Sequence, residues 1–557
     1  MSNGRRLRVV PSEFQPPLPP ELILREPLDP EAVPMDVVFV GGGPAGLAGA
    51  IELARLIKED TENGGTLGET QIAVLEKASA LGEHSLSGAV VNPRAFQELF
   101  PDLAIADFPF RAPVTGERVY FMMGEGRAQR IPTPPTMQNH GHYIASLSEM
   151  VRWLGEKAEA AGVNIFTGFP AASLIMDGEK VVGVRTTPSG VMRDGTPGSS
   201  YNPPTDISAR VTVLSEGTRG SLAQAWMDQT GIKGDNPQIY ALGVKEIWET
   251  KKPLDAIIHT LGWPLPNDAF GGSFVYPLTP NLLAVGIVVG MDYRQTTLDV
   301  HQLLQKFKTA PMIREYLEGG EMIEWGAKTI PEGGYYALPK KRHGDGILIV
   351  GDSAGFVEVA SLKGVHYAMQ SGMYAARAIF DALKKDDVSE NTMARYDALV
   401  KESYITSDLK ERRNMRLAFQ KGGLYVGGIK ASLMTISKGA LFGGQIHSEP
   451  DAEAPRDVTP EEPFTPDGKL TFSKLDANFK SGNATRDTIP SHLVVGTDIP
   501  PEVAELYVHM CPAGVYELND DRLVVNQANC VDCKATDVIG PRWTPREGES
   551  GPKYRLM

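Results

Sequence analysis

Met35-Asp-Val-Val-Phe-Val40 is a short β-rich run that leads directly into Gly41-Gly-Gly43-Pro-Ala-Gly46. Beyond the glycines, Leu47–Ile57 is rich in Ala and Leu and predicts a helix. Gln71-Ile-Ala-Val-Leu-Glu76 reads as a second strand, with Glu59–Thr70 an inserted loop before it. Two later apolar runs end in similar turns. Val211-Thr-Val-Leu-Ser-Glu216 precedes Gly217 and Gly220, and Gly346-Ile-Leu-Ile-Val precedes Gly351-Asp352-Ser-Ala-Gly355. Strand–turn–helix units of this kind predict an α/β fold. Further on, Leu424, Tyr425, Ile429, Leu433 and Ile436 recur at near-helical spacing in the moderately apolar stretch Gly422–Gly444. That pattern fits a core helix or one lying on a membrane surface, with Lys430 and Lys438 reaching to headgroups.

Strand, Gly41-x-Gly43-x-x-Gly46, helix is the context of a dinucleotide site. Gly41 permits the tight turn, Gly43 lets backbone approach a pyrophosphate, and Gly46 lets helix pack on strand. The anion then sits at the helix N-terminus, where N–H groups lack intrahelical partners. Glu76, at the end of the second strand, is placed to bind ribose hydroxyls. Gly351-Asp352 at the end of another strand presents a carboxylate to a ribitol hydroxyl, which a flavin has and NAD lacks. Together with Gly355 and the 211–220 turn, these features predict a glutathione-reductase-type FAD-binding fold. A second Gly-x-Gly-x-x-Gly after a strand is absent, so the electron donor should be something other than a nicotinamide bound in its own domain.

The 557 residues suffice for three or four domain-sized units, and the composition is globular, 42% hydrophobic and 22% charged. A net charge of −14 argues against a nucleic-acid partner, whose phosphates require a basic face. No apolar run approaches the ~20 residues that span a bilayer. Arg5, Arg6 and Arg8 are followed by acidic residues rather than an apolar core, which suits neither a secretory signal nor a strong mitochondrial presequence. Residues 1–34, with eight prolines, read as an extended arm.

All three cysteines fall at one end, as Cys511-Pro-Ala-Gly and Cys530-Val-Asp-Cys533. This is three quarters of a ferredoxin-type cluster site, with Thr536 where a fourth cysteine would stand and Asp537 after it. Such a site is read first as a [4Fe–4S] cluster with Thr536, Asp537 or water on the fourth iron, and retention of the three cysteines favours a live metal site. A [3Fe–4S] cluster, zinc with an oxygen or histidine ligand, or an empty site are the alternatives.

Several blocks now carry a resemblance. They are Gly82-Glu-His-Ser-Leu-Ser-Gly88, Asn139-His-Gly-His-Tyr143, Ser215-Glu-Gly-Thr-Arg-Gly-Ser221, His259-Thr-Leu-Gly-Trp-Pro264, Gly271-Gly-Ser-Phe274, Lys363-Gly-Val-His366 and Cys511-Pro-Ala-Gly-Val-Tyr-Glu517. From about residue 36 onward the chain resembles the electron-transfer flavoprotein–ubiquinone oxidoreductases. The resemblance implies a monotopic membrane enzyme that passes electrons from reduced electron-transfer flavoprotein, through an iron–sulfur cluster and FAD, to ubiquinone. It places the quinone at Gly271 and Gly272, a pair that otherwise reads as a turn, and puts residues 84–103 and 422–444 on the surface that meets the bilayer. The cytoplasmic face of a bacterial membrane is the expected location, with the matrix face of the mitochondrial inner membrane as the alternative.

The expected organisation is an arm at 1–34 and a discontinuous FAD domain at 35–85, 140–225 and 330–385. A mixed α/β quinone domain at 86–139 and 226–329 is inserted. A helical region at 386–450 and a ferredoxin-like iron–sulfur domain at 451–557 follow. A geranylgeranyl-reductase-like or hydroxylase-like flavoenzyme would share the fingerprint without needing the cysteines. His84, His140, His142, His259 and His366 are candidate proton carriers, each more simply read as structural, and none is assigned as catalytic.

Overall fold

The computed structural model describes residues 7–65, 67–441 and 443–557, and the side chains of Leu424, Tyr425 and Thr435 lie outside the described set. The arginines at 5 and 6 are also outside it. Among the described residues, a six-stranded sheet carries the order Asn164–Thr167, Ile72–Glu76, Val37–Val40, Val211–Leu214, Ile347–Ile349, His343–Gly344. The first five run parallel and the last is antiparallel. Its central strands are buried throughout, and apolar but for Thr212. Pro44–Glu62 and Val365–Lys384 pack closely against each other there, burying Leu47, Ile51, Leu53, Met369 and Ile379.

A second, seven-stranded sheet runs Glu321–Pro331, Tyr240–Glu249, Leu282–Gly290, Gly271–Thr279, Ile257–Gly262, Glu117–Gly124, Arg127–Ile131. All neighbours are antiparallel except Ile257–Gly262 beside Glu117–Gly124. The C-terminal cysteine segment shares this sheet's core: Val503, Leu506 and Tyr507 belong to the same apolar cluster as Val285, Ile287 and Phe307. The Thr329 N–H donates to the Cys533 carbonyl at 2.9 Å, joining sheet and cysteine loop through backbone.

The N-terminal arm is less free than its prolines imply. Ile23–Leu24 and Val33–Pro34 form the two edges of a five-stranded sheet with Ala171–Asp177, Lys180–Thr186 and Asp206–Ser208. Edge positions accept proline because one side of the strand makes no ladder bonds. Arg8–Val9 pairs with Arg456–Asp457, and the Gln15 amide donates to the carbonyls of Asp537 (3.1 Å) and Gly540 (2.9 Å).

The helix Met415–Ile436 is broken at Gly423, which takes φ 61° and ψ −169°. After the break four large apolar residues point outward: Val426, Ile429, Leu433 and Ile436 are all exposed, Ile436 to 76%. Spacings of three, four and three put them on one face. Among the described residues, no helix is long and apolar enough to cross a membrane. The segment 84–103 behaves differently, since its large apolar residues Val91, Phe96 and Leu99 are buried in the core.

Candidate active site

Strand Val37–Val40 delivers the glycine turn to one end of a cavity of about 350 Å³, a size typical of ligand pockets. Gly41 has φ +113°, and a Cβ there would lie 2.4 Å from the Ser215 carbonyl oxygen. A Cβ on Gly46 would lie 2.2 Å from the Gly41 oxygen. Gly43 instead faces open space and lines the cavity. The first turn of Pro44–Glu62 has Pro44 at its start and no side-chain cap, so its N–H groups remain available for an anion. Glu76 lines the same cavity and is oriented by the N–H groups of Gly42 (3.1 Å) and Ala78 (2.8 Å).

At the other parallel-strand end, Gly351 takes φ 62° and donates its N–H to the Ser371 hydroxyl at 2.9 Å. Asp352 lines the cavity, and Gly355 closes the turn with φ 79° and an N–H bond to the Asp352 carbonyl. Desolvation pushes the Asp352 carboxyl up to about 6, opposed by the charge of Lys328. A desolvated carboxylate aimed into a cavity is a group suited to accept from ligand hydroxyls. Glycine cradle, Glu76 and Asp352 therefore fit the two ends of FAD.

Gly271 and Gly272 begin the strand Gly271–Thr279. Gly272 pairs in register with Val288, a cavity residue, and shares a face with Phe274 and Tyr276, which also line the cavity. Gly271 points to the opposite face and, like Gly272, is not itself in the cavity wall.

The sulfur-bearing loop approaches from the other side. Lys534, Trp543 and Pro545 close the same cavity, with the Lys534 ammonium 3.1 Å from the centre of the Trp543 ring. Cys511, Cys530 and Cys533 are all buried; burial and the Asp532 charge push the Cys530 thiol up to about 12, and burial with the neighbouring cysteines raises that of Cys533. Thiols so desolvated are poorly stable as separate thiolates and suit a metal centre that displaces their protons.

The fourth corner differs. The Thr536 hydroxyl lies 2.5 Å from the Tyr516 hydroxyl and donates to the Pro541 carbonyl at 3.2 Å. The Asp537 carboxylate accepts from Arg219 Nε (2.7 Å), Gln224 Nε2 (3.1 Å) and the Trp543 N–H (3.2 Å). Asp537 is thus committed to an ion pair, and Thr536 is the less encumbered oxygen. One trio of metal-capable groups occurs among the described residues, His492, Cys530 and Asp532. There Asp532 already accepts from Lys77 (2.6 Å), Arg546 (2.9 Å) and the Trp543 indole N–H (3.0 Å), which neutralises the charge a cation would need.

Sequence reasoning missed Lys77, Lys328, Lys534, Trp543 and Arg219. Arg219 lies inside a quoted glycine-rich block, and Lys77 and Lys534 directly follow Glu76 and Cys533, but nothing in the sequence says that these side chains meet in one place.

Residues 240–330 match the profile described as ETF-QO, ubiquinone-binding, and residues 468–555 match electron transfer flavoprotein-ubiquinone oxidoreductase, 4Fe-4S. The chain is 37% identical over 556 residues to the mitochondrial electron transfer flavoprotein-ubiquinone oxidoreductase of rice (Oryza sativa subsp. japonica), covering 95% of this chain and 94% of that one. It is 36% identical to the protein of that name from Pseudomonas aeruginosa, covering 95% of this chain and all of that one. Among solved structures it is similar to a geranylgeranyl bacteriochlorophyll reductase-like protein from Thermoplasma acidophilum (TM-score 0.54, 21% identity, 74% of this chain and 97% of that chain). It is also similar to a flavin-dependent brominase (TM-score 0.50, 17% identity, 74% and 94%). At those identities the solved structures establish the flavoprotein fold, an α/β FAD-binding architecture. The full-length relatives and the two matched segments go further: the chain belongs to the electron transfer flavoprotein–ubiquinone oxidoreductase family.

Proposed function

We propose that the protein is an oxidoreductase that oxidises reduced electron transfer flavoprotein and reduces ubiquinone, with FAD and an iron–sulfur cluster as its redox groups. One observation carries this reading: the glycine cradle, the sheet matched as ubiquinone-binding and the cysteine segment all contribute walls to a single cavity. FAD, when bound, supplies chemistry that links a one-electron partner to a two-electron acceptor. The chain's own groups bind and orient. Gly41, Gly43 and Gly46 with the helix start hold the pyrophosphate, Glu76 the adenosine ribose, and Asp352, flanked by Gly351 and Gly355, the ribitol chain. Cys511, Cys530 and Cys533 hold three corners of the cluster, and Thr536 rather than Asp537 faces the fourth. The strand opened by Gly271 and Gly272 is the proposed quinone contact, reaching the cavity through Phe274 and Tyr276.

The exposed residues Val426, Ile429, Leu433, Ile436 and Leu441 form the membrane-facing surface, giving monotopic attachment without a span. The cytoplasmic face of a bacterial membrane is the proposed site. Both bacterial and mitochondrial proteins occur among the relatives.

The test is anaerobic mixing of the purified, pre-reduced holoenzyme with short-chain ubiquinone, followed by turnover with electron transfer flavoprotein. Reoxidation of the flavin by quinone, with turnover by the flavoprotein, is the expected result. A flavin that is reduced but stays reduced in quinone excess would refute the reading.

A further inference from the structure

A second cavity, of about 50 Å³, adjoins the first. Ser87, Gly88, Tyr276 and Lys363–Val365 line both, so a single layer of residues divides them. Its other walls include Asn139, His259 and His366. Leu362, which lines both cavities, is 53% exposed and brings their shared wall to the protein surface.

This chamber is polar enough and large enough to hold a few water molecules. His259 Nε2 is buried there without a hydrogen-bond partner. A dry chamber would leave that nitrogen unsatisfied, at a cost that water removes.

Lys363 stands in the dividing wall. It is buried, and its ammonium donates to the Ser361 carbonyl at 2.9 Å, one of its three N–H donors. Its backbone is clamped to Glu358 by a pair of hydrogen bonds, N–H to Glu358 oxygen at 3.1 Å and carbonyl from Glu358 N–H at 2.8 Å. The neighbouring Glu358 carboxylate is engaged elsewhere, by Arg412 at 2.8 Å and the Ser361 N–H at 3.0 Å. A buried lysine outside every described ion pair, set between a wet chamber and a reaction cavity, is a group placed to move protons.

We infer that the smaller cavity is a proton-entry chamber and that Lys363 carries protons from its water to the quinone reduced in the larger cavity. The inference rests on the quinone-reducing function proposed above. Each quinone takes two electrons from the reduced flavin and two protons. For a proton delivered by Lys363, the Nζ–H bond breaks as an O–H bond forms on the quinone. The neutral amine takes a replacement proton from chamber water, the hydroxide left there is neutralised by exchange with solvent, and the reprotonated lysine supplies the second proton.

The surrounding charges suit this cycle. Burial holds Lys363 down at about 8, while Glu358 and Glu117 favour its ammonium and Arg412 opposes it. Burial, reinforced by the lysine's charge, keeps His142, His259 and His366 neutral, at about 4, 3 and 3. Asp352 faces the same wall across Gly364. A donor near 8 releases and regains protons readily around neutral pH.

The test follows flavin reoxidation by a water-soluble short-chain ubiquinone, from pre-reduced holoenzyme, across pH 6 to 9.5. Wild type, Lys363→Arg and Lys363→Ala are compared, with FAD content and the flavin absorbance spectrum confirming an intact site in each. Arginine keeps the charge but does not give up its proton. In wild type the rate falls about tenfold per pH unit above about 8, as the ammonium is lost. Both variants are slower by about a hundredfold at pH 7 and lose that alkaline limb, within the range known for general acids. Added methylammonium restores the Lys363→Ala rate. Full rate and an unchanged alkaline limb in Lys363→Arg would overturn the inference while leaving quinone reduction standing. Absence of reoxidation in wild type itself would overturn both.

Discussion

Replacing Asp537 by Asn leaves Arg219 with a neutral partner inside the protein. The two side chains are 1% and 15% exposed, and Arg219 donates both to the Asp537 carboxylate (2.7 Å) and to its backbone carbonyl (2.6 Å). Arg542, a second cation 3.9 Å from the same carboxylate, loses its partner as well and adds to the uncompensated positive charge. Breaking a buried pair by removing one charge costs about 3–5 kcal/mol. At 1.4 kcal/mol per decade, that raises local opening of the cysteine segment by about two to three and a half orders of magnitude. Amide hydrogen exchange over residues 535–545, followed by mass spectrometry, reads this opening directly. The double variant Arg219→Met/Asp537→Leu, which removes both charges, should return most of the lost protection. Exchange in Asp537→Asn within tenfold of wild type, accompanied by loss of iron, would refute the argument. Asp537 would then be a cluster ligand and the ion pair of little consequence.

Thr536→Cys supplies the missing thiol. It should raise iron and sulfide content per chain towards four each and slow iron loss to chelators, and unchanged counts would show that the fourth corner is closed in another way. Gly41→Ala should abolish FAD retention, because its Cβ meets the Ser215 carbonyl at 2.4 Å and its φ is +113°; the flavin-to-protein absorbance ratio reads the loss. FAD affinity should weaken as pH falls through about 6. The free Asp352 carboxyl titrates there, and a ribitol hydroxyl favours its ionised form, so binding expels the proton; Asp352→Asn should bind weakly with no such dependence. Ile429→Asp/Ile436→Asp removes side chains that are 65% and 76% exposed. With about 1–2 kcal/mol of lipid contact each, the pair should lower partition onto vesicles by more than about thirtyfold in a flotation assay.

The parts of the site legible from residue order are those built by consecutive residues. Strand, glycine turn and helix around Gly41–Gly46 read correctly as one local unit, because its steric demands fall on adjacent positions. The cysteine spacing was equally readable as a metal motif. Lys328, Lys534 and Trp543 were not, since nothing in their local sequence says that they face the cavity, which they reach through sheet and loop packing across 200 residues or more. The arm shows a different limit. Its prolines announce extended backbone, yet whether such a backbone joins a sheet edge depends on a partner such as Ala171–Asp177, far along the chain. Likewise, apolar residues between 84 and 103 give no hint of facing inward until Phe96 is seen packed against Phe108, Phe110 and Trp153. Leu424 and Tyr425, part of the apolar spacing at 424–436, lie outside the described side chains.

The flavin cavity is walled at one end by residues 41–45 and at the other by Lys534, Trp543 and Pro545. During synthesis these walls emerge from the ribosome almost 500 residues apart, the first within the opening tenth of translation. The complete pocket therefore exists only after nearly the whole polypeptide has been made. Final seating of the flavin is a post-translational event, and it is coupled to docking of the very segment that carries the cysteines. A nascent chain halted before residue 534 would present the glycine cradle but lack the wall that shuts it.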